Sequence, residues 1–100
     1  MKRLDVKYVV ETVAVGFDFS PELAVGETLS GTPTVSASVY LGYDATPAAI
    51  ITGSASKNVG NIYVTQAVTA GVAITDYLLT AVCLTSANRT LAVEAILPVR

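Results

Sequence analysis

The stretch Asp76-Tyr77-Leu78-Leu79-Thr80-Ala81-Val82-Cys83-Leu84 restricts this chain more than any other. Side chains alternate along a strand, so Tyr77, Leu79, Ala81 and Cys83 share one face, and Leu78, Thr80, Val82 and Leu84 share the other. A strand apolar on both faces belongs in the middle of a sheet. The rest of the chain has to supply strands on either side of it.

Period two recurs along the sequence. Residues 4–10 place Leu4, Val6, Tyr8 and Val10 on one face with Asp5 and Lys7 between them, the pattern of a half-buried strand. Residues 13–19 place Val13, Val15, Phe17 and Phe19 on one face, and Gly16 predicts a bulge or a close approach of another backbone. In residues 20–29, Ser20 suits a helix cap, Pro21 the first helical position and Gly26 a left-handed exit. That reads as one helical turn near residues 20–25 bridging two sheets, with no longer helix anywhere.

A turn at Gly31-Thr32-Pro33 leads into Val35, Ala37 and Val39 alternating with Thr34, Ser36 and Ser38. Residues 40–47 read as a loop or bent strand end, 48–52 as a short strand and 53–60 as a turn-rich connection. Residues 62–68 form a strand with Ile62, Val64 and Val68 on one face, broken by Ala70-Gly71. The organising strand then runs over 72–85. Ser86-Ala87-Asn88-Arg89 is a hairpin loop in which Asn88 takes the positive φ. Residues 90–99 point Leu91, Val93, Ala95, Leu97 and Val99 one way, and Pro98 marks that strand's end as an edge. About seven strands at spacings near ten residues, without internal copies, predict a single all-β sandwich domain over residues 1–100.

Composition narrows the function classes. Charged residues are 14% of the chain, against about 25% ordinarily, and hydrophobic ones 52%. A net charge of −2, and basic residues grouped only at Lys2, Arg3 and Lys7, exclude nucleic acid as the main partner. Charges in Leu4-Asp5-Val6-Lys7 break any secretory apolar core, and the uncharged residues 58–75 are too polar for a helix in lipid. A cytoplasmic chain is expected, unless a larger particle carries it out. Cys83 is the only cysteine and there is no histidine, so the thiol reads as a core hydrophobe and no internal disulfide can form.

Catalytic constellations are few. Asp18 with Glu22, or Asp44 with Asp76, could pair as carboxylates, but isolated acids near turns are ordinarily solvated or capping groups. Phosphate cradle, serine elbow, zinc spacing and calcium run are all missing from the sequence. A non-enzymatic protein without metal or cofactor is expected.

Asp76-Tyr77-Leu78-Leu79 after Gly71 resembles the tyrosine corner of Greek-key sandwiches, and the order Tyr77, Cys83, hairpin, final strand resembles the end of immunoglobulin-like domains. That resemblance makes Tyr77 structural, its hydroxyl bonded to nearby backbone; the absence of tryptophan and of a second cysteine departs from antibody-type domains. Phe17-Asp18-Phe19-Ser20, then Leu23-Ala24-Val25-Gly26-Glu27-Thr28-Leu29, Val35, Gly71, Tyr77 and the final Val99-Arg100 resemble small immunoglobulin-like proteins encoded among bacteriophage and prophage tail genes. The resemblance implies an accessory virion protein of the tail, fibre-attachment or decoration type, assembled in the host cytoplasm. Its partners would be other virion proteins or further copies of itself.

Two surfaces are candidates for contact. Leu78, Val82, Leu84 and Ile96 make the outward faces of the last strands oily, so either the N-terminal strand and the capped turn or another subunit covers them. Tyr40, Tyr43, Asp44 and Asn58 would form a loop cluster at one end, the basis of an alternative reading as a carbohydrate- or receptor-binding module. Arg89 in the last hairpin is a rim contact or, as preferred here, a solvated charge.

Overall fold

Most of the alternating segments become strands in the computed structural model, which describes residues 2–100; residues 4–10 do not, and contribute a single bridge at Lys7. The strands are β1 (Lys2–Arg3), β2 (Thr12–Asp18), β3 (Leu29–Leu41), β4 (Ile51–Lys57), β5 (Tyr63–Thr69), β6 (Thr75–Thr85) and β7 (Thr90–Val99). They form one sheet in the order β1-β7-β6-β3 and a second in the order β2-β5-β4. Between the sheets lies one core, to which Val15, Phe17 and Phe19, Val64 and Val68, Tyr77, Leu79 and Ala81, and Leu97 and Val99 contribute. The fold is therefore an all-β sandwich, 41 Å along its longest axis.

β6 occupies the middle of its sheet, between β7 and β3. Its inner row, Tyr77, Leu79 and Ala81, is fully buried, whereas Leu78, Thr80 and Val82 on the outer face are half-buried and Leu84 is exposed. No second layer covers that face; Leu78 is shielded sideways by its register partners Ser38 and Ile96. β7 turns Leu91, Val93, Ala95, Leu97 and Val99 inward, and Asn88 in the preceding hairpin has φ +61°.

Leu4 packs against the core as expected, but beyond it the N-terminal segment reverses its expected register. Val6, Tyr8 and Val10 are exposed, while Lys7 is only 1% exposed. Beyond β1 the segment follows β7, with the Leu4 amide donating to Ile96 O at 2.7 Å and the Lys7 amide to Pro98 O at 2.9 Å. The Lys7 stem runs inward, and its ammonium donates to the carbonyls of Ala70 at 2.6 Å and Tyr8 at 2.9 Å. A lysine stem is apolar enough for this once its tip finds acceptors. Pro98 is consequently not on a free edge, because the N-terminal segment lies beside it.

Other boundaries shift for local reasons. Gly31-Thr32-Pro33 is no turn; β3 passes through it with a register break between Ser30 and Thr34. Since β3 borders solvent on one side, a proline there need cost no ladder hydrogen bond. Residues 48–52 are only half strand, as Pro47–Ile50 forms a second 3-10 turn and β4 continues through Gly53 to Lys57. The expected turn near residue 20 is a 3-10 turn over Ser20–Glu22. Phe19, not Ser20, takes its cap position, and the Asp18 carboxylate accepts from the Ser20 amide at 2.9 Å. In β5 the inward place between Val64 and Val68 belongs to Gln66, whose amide donates to Thr52 O and Ala67 O, both at 2.9 Å. At Gly16 the close neighbour is a side chain: the Tyr63 ring lies across it, in the space a Cβ would need.

The reversed register has a direct test. Lys7→Ala is expected to destabilise the fold by about 1–3 kcal/mol, since the buried stem is lost, the Ala70 carbonyl loses its donor and the Tyr8 carbonyl keeps only the Glu11 amide. Val6→Lys is expected to stay within about 0.5 kcal/mol of the parent, as an exposed substitution does. Urea unfolding of both variants distinguishes the registers, because a strand facing the other way would invert the two results.

Candidate interaction surfaces

Chain crossings between the sheets leave backbone groups that must find partners. At one end of the sandwich three connections meet: residues 8–11, residues 42–46 after β3, and residues 70–74 before β6. Tyr77 joins two of them. Its hydroxyl accepts from the Val72 amide at 2.8 Å and donates to Asp44 Oδ2 at 2.6 Å. The other oxygen of Asp44 accepts from the Thr46 amide at 2.8 Å. Burial, followed by the hydrogen bond to Asp44, pushes the Tyr77 phenol up to about 12, while Asp44 is lowered by the Tyr77 hydroxyl and the Thr46 amide. Asp44 is therefore a brace between loops and not a free contact residue.

Gly42 packs its Cα side against the same corner. With φ +103°, a Cβ there would fall 3.0 Å from Ile74 O and from the Thr75 Cα. Ile74 has φ +59° and yet is 80% exposed. A β-branched residue in the left-handed region is strained, and an apolar one in water loses the benefit of burial as well. On the same connections Tyr8, Val10, Tyr43 and Val72 are also exposed, as are Tyr40 and Leu41 at the end of β3, so this end presents an apolar crown.

The opposite end is fastened by Glu27. The carboxylate, nearly buried, accepts from the Arg89 guanidinium through both oxygens, from the Thr85 hydroxyl and from the Ala24 amide at 2.8 Å. Arg89 also donates to Glu22 O at 3.1 Å. The arginine, its side chain still 48% exposed, is thus also a structural clamp. These bonds, led by the one from Arg89, hold the Glu27 carboxyl down at about 2. Asn58 lies at this end too, its Oδ1 accepting from the amides of Ile62 and Tyr63 at 3.0 and 3.2 Å. The nearby Asn61 O accepts from the Leu29 amide at the start of β3, whereas Tyr40 and Tyr43 lie at and beyond its other end. The proposed cluster of Tyr40, Tyr43, Asp44 and Asn58 is therefore divided between the two ends.

On the outer face of the β6 sheet, Leu78 and Val82 are half-buried, Leu84 is 42% exposed and Ile96 is only 8% exposed. Ile96 is covered by its own chain, where Arg3 is its register partner. The oily patch is reduced to scattered side chains among Thr34, Ser36, Ser38 and Thr80.

The acids do not assemble into a site. Asp18 caps a turn, and Asp44 bonds Tyr77. Asp76 accepts from Arg3 and Arg100, each at 3.0 Å. Burial would raise the Asp76 carboxyl, but the two guanidiniums outweigh it and leave it lowered. Among the described residues no group of three or more His, Cys, Asp or Glu is placed to hold a metal ion, and no helix is long and apolar enough to cross a membrane. Cys83 is buried, its thiol donating to Ser30 O at 3.4 Å and pushed up by burial. No family model, no curated protein and no solved structure matches the chain.

Ile74 was not marked by any sequence pattern, and the roles of Glu27 and Lys7 as inward hydrogen-bonding groups were not legible from the motif and the basic group that contain them. Glu27 and Arg89 lie in separate loops 62 positions apart, so no local spacing reveals the pair.

Two measurements test this architecture. Tyr77→Phe is expected to cost about 1–3 kcal/mol, because the Val72 amide loses its acceptor, and to speed amide exchange in residues 70–74. The Glu27 carboxyl sits below its ordinary value of 4.5, so its contribution is complete above that pH and is lost as the pH falls toward about 2. The urea midpoint is expected to drop across that window, and Glu27→Gln to lower the midpoint at pH 7 and flatten the drop.

Proposed function

We propose that this chain is a non-enzymatic interaction protein, an immunoglobulin-like sandwich serving as an accessory component of a phage or prophage particle. The carrying observation is the crown: seven large apolar side chains, Tyr40 and Leu41 at the end of β3 and Tyr8, Val10, Tyr43, Val72 and Ile74 on the adjoining connections, exposed at an end that Tyr77, Asp44 and Lys7 brace. Exposed apolar groups concentrated on rigid supports suit a surface made for another protein. Tyrosines within it add contact area with little entropy loss on binding.

The strand order supports the immunoglobulin-like assignment, with β7, β6 and β3 facing β2, β5 and β4 and a parallel first strand beside the last. So does the bond from the Val72 amide to the Tyr77 hydroxyl, in keeping with a tyrosine corner. The virion assignment draws on the resemblance to phage tail proteins and on the sparse surface charge. Particle proteins would be the partners, met during assembly in the host cytoplasm.

Particles induced from cells carrying this gene and purified on a density gradient are expected to contain the chain at a constant ratio to their major structural protein. Tyr43→Asp combined with Ile74→Asp is expected to remove it from the particles while leaving its melting temperature unchanged. A chain found only in the particle-free fraction overturns the reading.

A further inference from the structure

The two sheets have four outer strands, and three of them are guarded. β1 has two residues; β3 carries Pro33 and two register breaks; β4 has a register break and ends in Lys57. Such features are how sheet edges ordinarily avoid pairing with other chains. β2 has neither proline nor register break, and its one charge, Asp18, is its last residue. It holds register with β5 over seven consecutive pairs, and Thr12 to Phe17 contains neither charge nor proline.

The free backbone groups of β2 can be identified. The Phe19 amide donates to Ile62 O, directly continuing the β2–β5 ladder, so odd-numbered residues bond β5. The amides and carbonyls of Thr12, Ala14, Gly16 and Asp18 therefore point away from β5. Beside them runs a groove between the sheets. One half, of about 330 Å³, is lined by Leu4, Val13, Val15 and Leu97; the other, of about 340 Å³, by Phe17, Val93 and Ala95.

We infer that the β2 edge and this groove accept an extended segment of a partner protein, one with apolar side chains at alternate positions and basic residues among the others. Main-chain hydrogen bonds to Ala14 and Gly16 supply the pairing, and the alternate apolar side chains enter the groove. Charge favours a basic partner: Asp5, Glu11, Asp18 and Glu94 line the groove against Lys2, because the Lys7 ammonium is held by carbonyls. A second folded copy does not suit the groove, since its edge strands keep their apolar side chains in their own cores, as Val15 and Phe17 do here. The inference deepens the interaction-protein reading and rests on it, but not on where that protein works.

The probe is a synthetic peptide of about nine residues alternating valine with threonine between terminal lysines, a length matched to a typical strand. Its addition is expected to slow amide exchange at Ala14 and Gly16 at least about tenfold, as pairing protects free amides. A peptide of identical composition with its valines in one block, and one N-methylated at alternate residues, are both expected to leave exchange unchanged. Ala14→Pro removes an outward amide without taking a bond from β5, and is expected to abolish protection at Gly16 with no change in melting temperature; if that variant does not fold, the N-methylated peptide decides. No protection at Ala14 and Gly16, or equal protection by the block peptide, overturns the inference. Loss from particles with intact peptide binding would instead count against the virion reading alone.

Discussion

Each passage of the chain from one sheet to the other is held by a polar side chain that reaches from a strand or its flank to loop backbone. Lys7 ties the passage from β1 to β2 to the one between β5 and β6, through the carbonyls of Tyr8 and Ala70. Tyr77 ties that same β5–β6 passage to the one leaving β3, through the Val72 amide and Asp44. Glu27 ties the β2–β3 passage to the β6–β7 hairpin, through Thr85 and Arg89. A sandwich whose described residues hold only two short 3-10 turns has little else with which to satisfy crossing backbone, so these three groups fix how the layers meet. The apolar core stabilises the stack; the braces make it one particular stack.

The division between core and brace also explains what could be read in the sequence. Period two depends only on near neighbours, and it was legible wherever a strand has one wet face: Val15 and Phe17 in β2, Val35 and Ala37 in β3, Leu91 to Val99 in β7. It failed at residues 4–10, where a lysine with a long apolar stem took the inward place that hydropathy assigns to Val6 and Tyr8. Proline and glycine at 31–33 and 53 resembled turns because edge strands absorb such residues as register breaks, a distinction that depends on which strand is outermost. Of the candidate contact residues, Tyr40 and Tyr43 are exposed at and just beyond the end of β3, whereas Asn58 serves local hydrogen bonds and Asp44 and Arg89 serve distant ones that no short window contains.

Low charge acquires a structural meaning in this light. Half of the six basic residues are engaged in ion pairs, as Arg3 and Arg100 hold Asp76 and Arg89 holds Glu27, and Lys7 is internal. Few cations are left to decorate strand edges or loop tips. The outer face of the β6 sheet manages with Thr34, Ser36 and Ser38, which are small and uncharged and expose little apolar surface. The crown and the β2 edge have no comparable protection.

Those two places differ in what they could do. At the crown Gly42 fits against Ile74 O and Thr75 with no room for a Cβ, and Tyr77 ties the neighbouring connections together through Val72 and Asp44. A rigid apolar surface loses little entropy on binding and favours a partner whose shape already matches it. The β2 edge presents unpaired backbone instead, which discriminates by length and alternation more than by side-chain shape, and so suits a partner that is extended before it binds. The bonds that brace this corner, from the Val72 amide to Tyr77 and from Tyr77 to Asp44, are made within the chain itself. The apolar end is therefore preformed in the isolated chain, and a partner meeting it would find its contact surface already assembled.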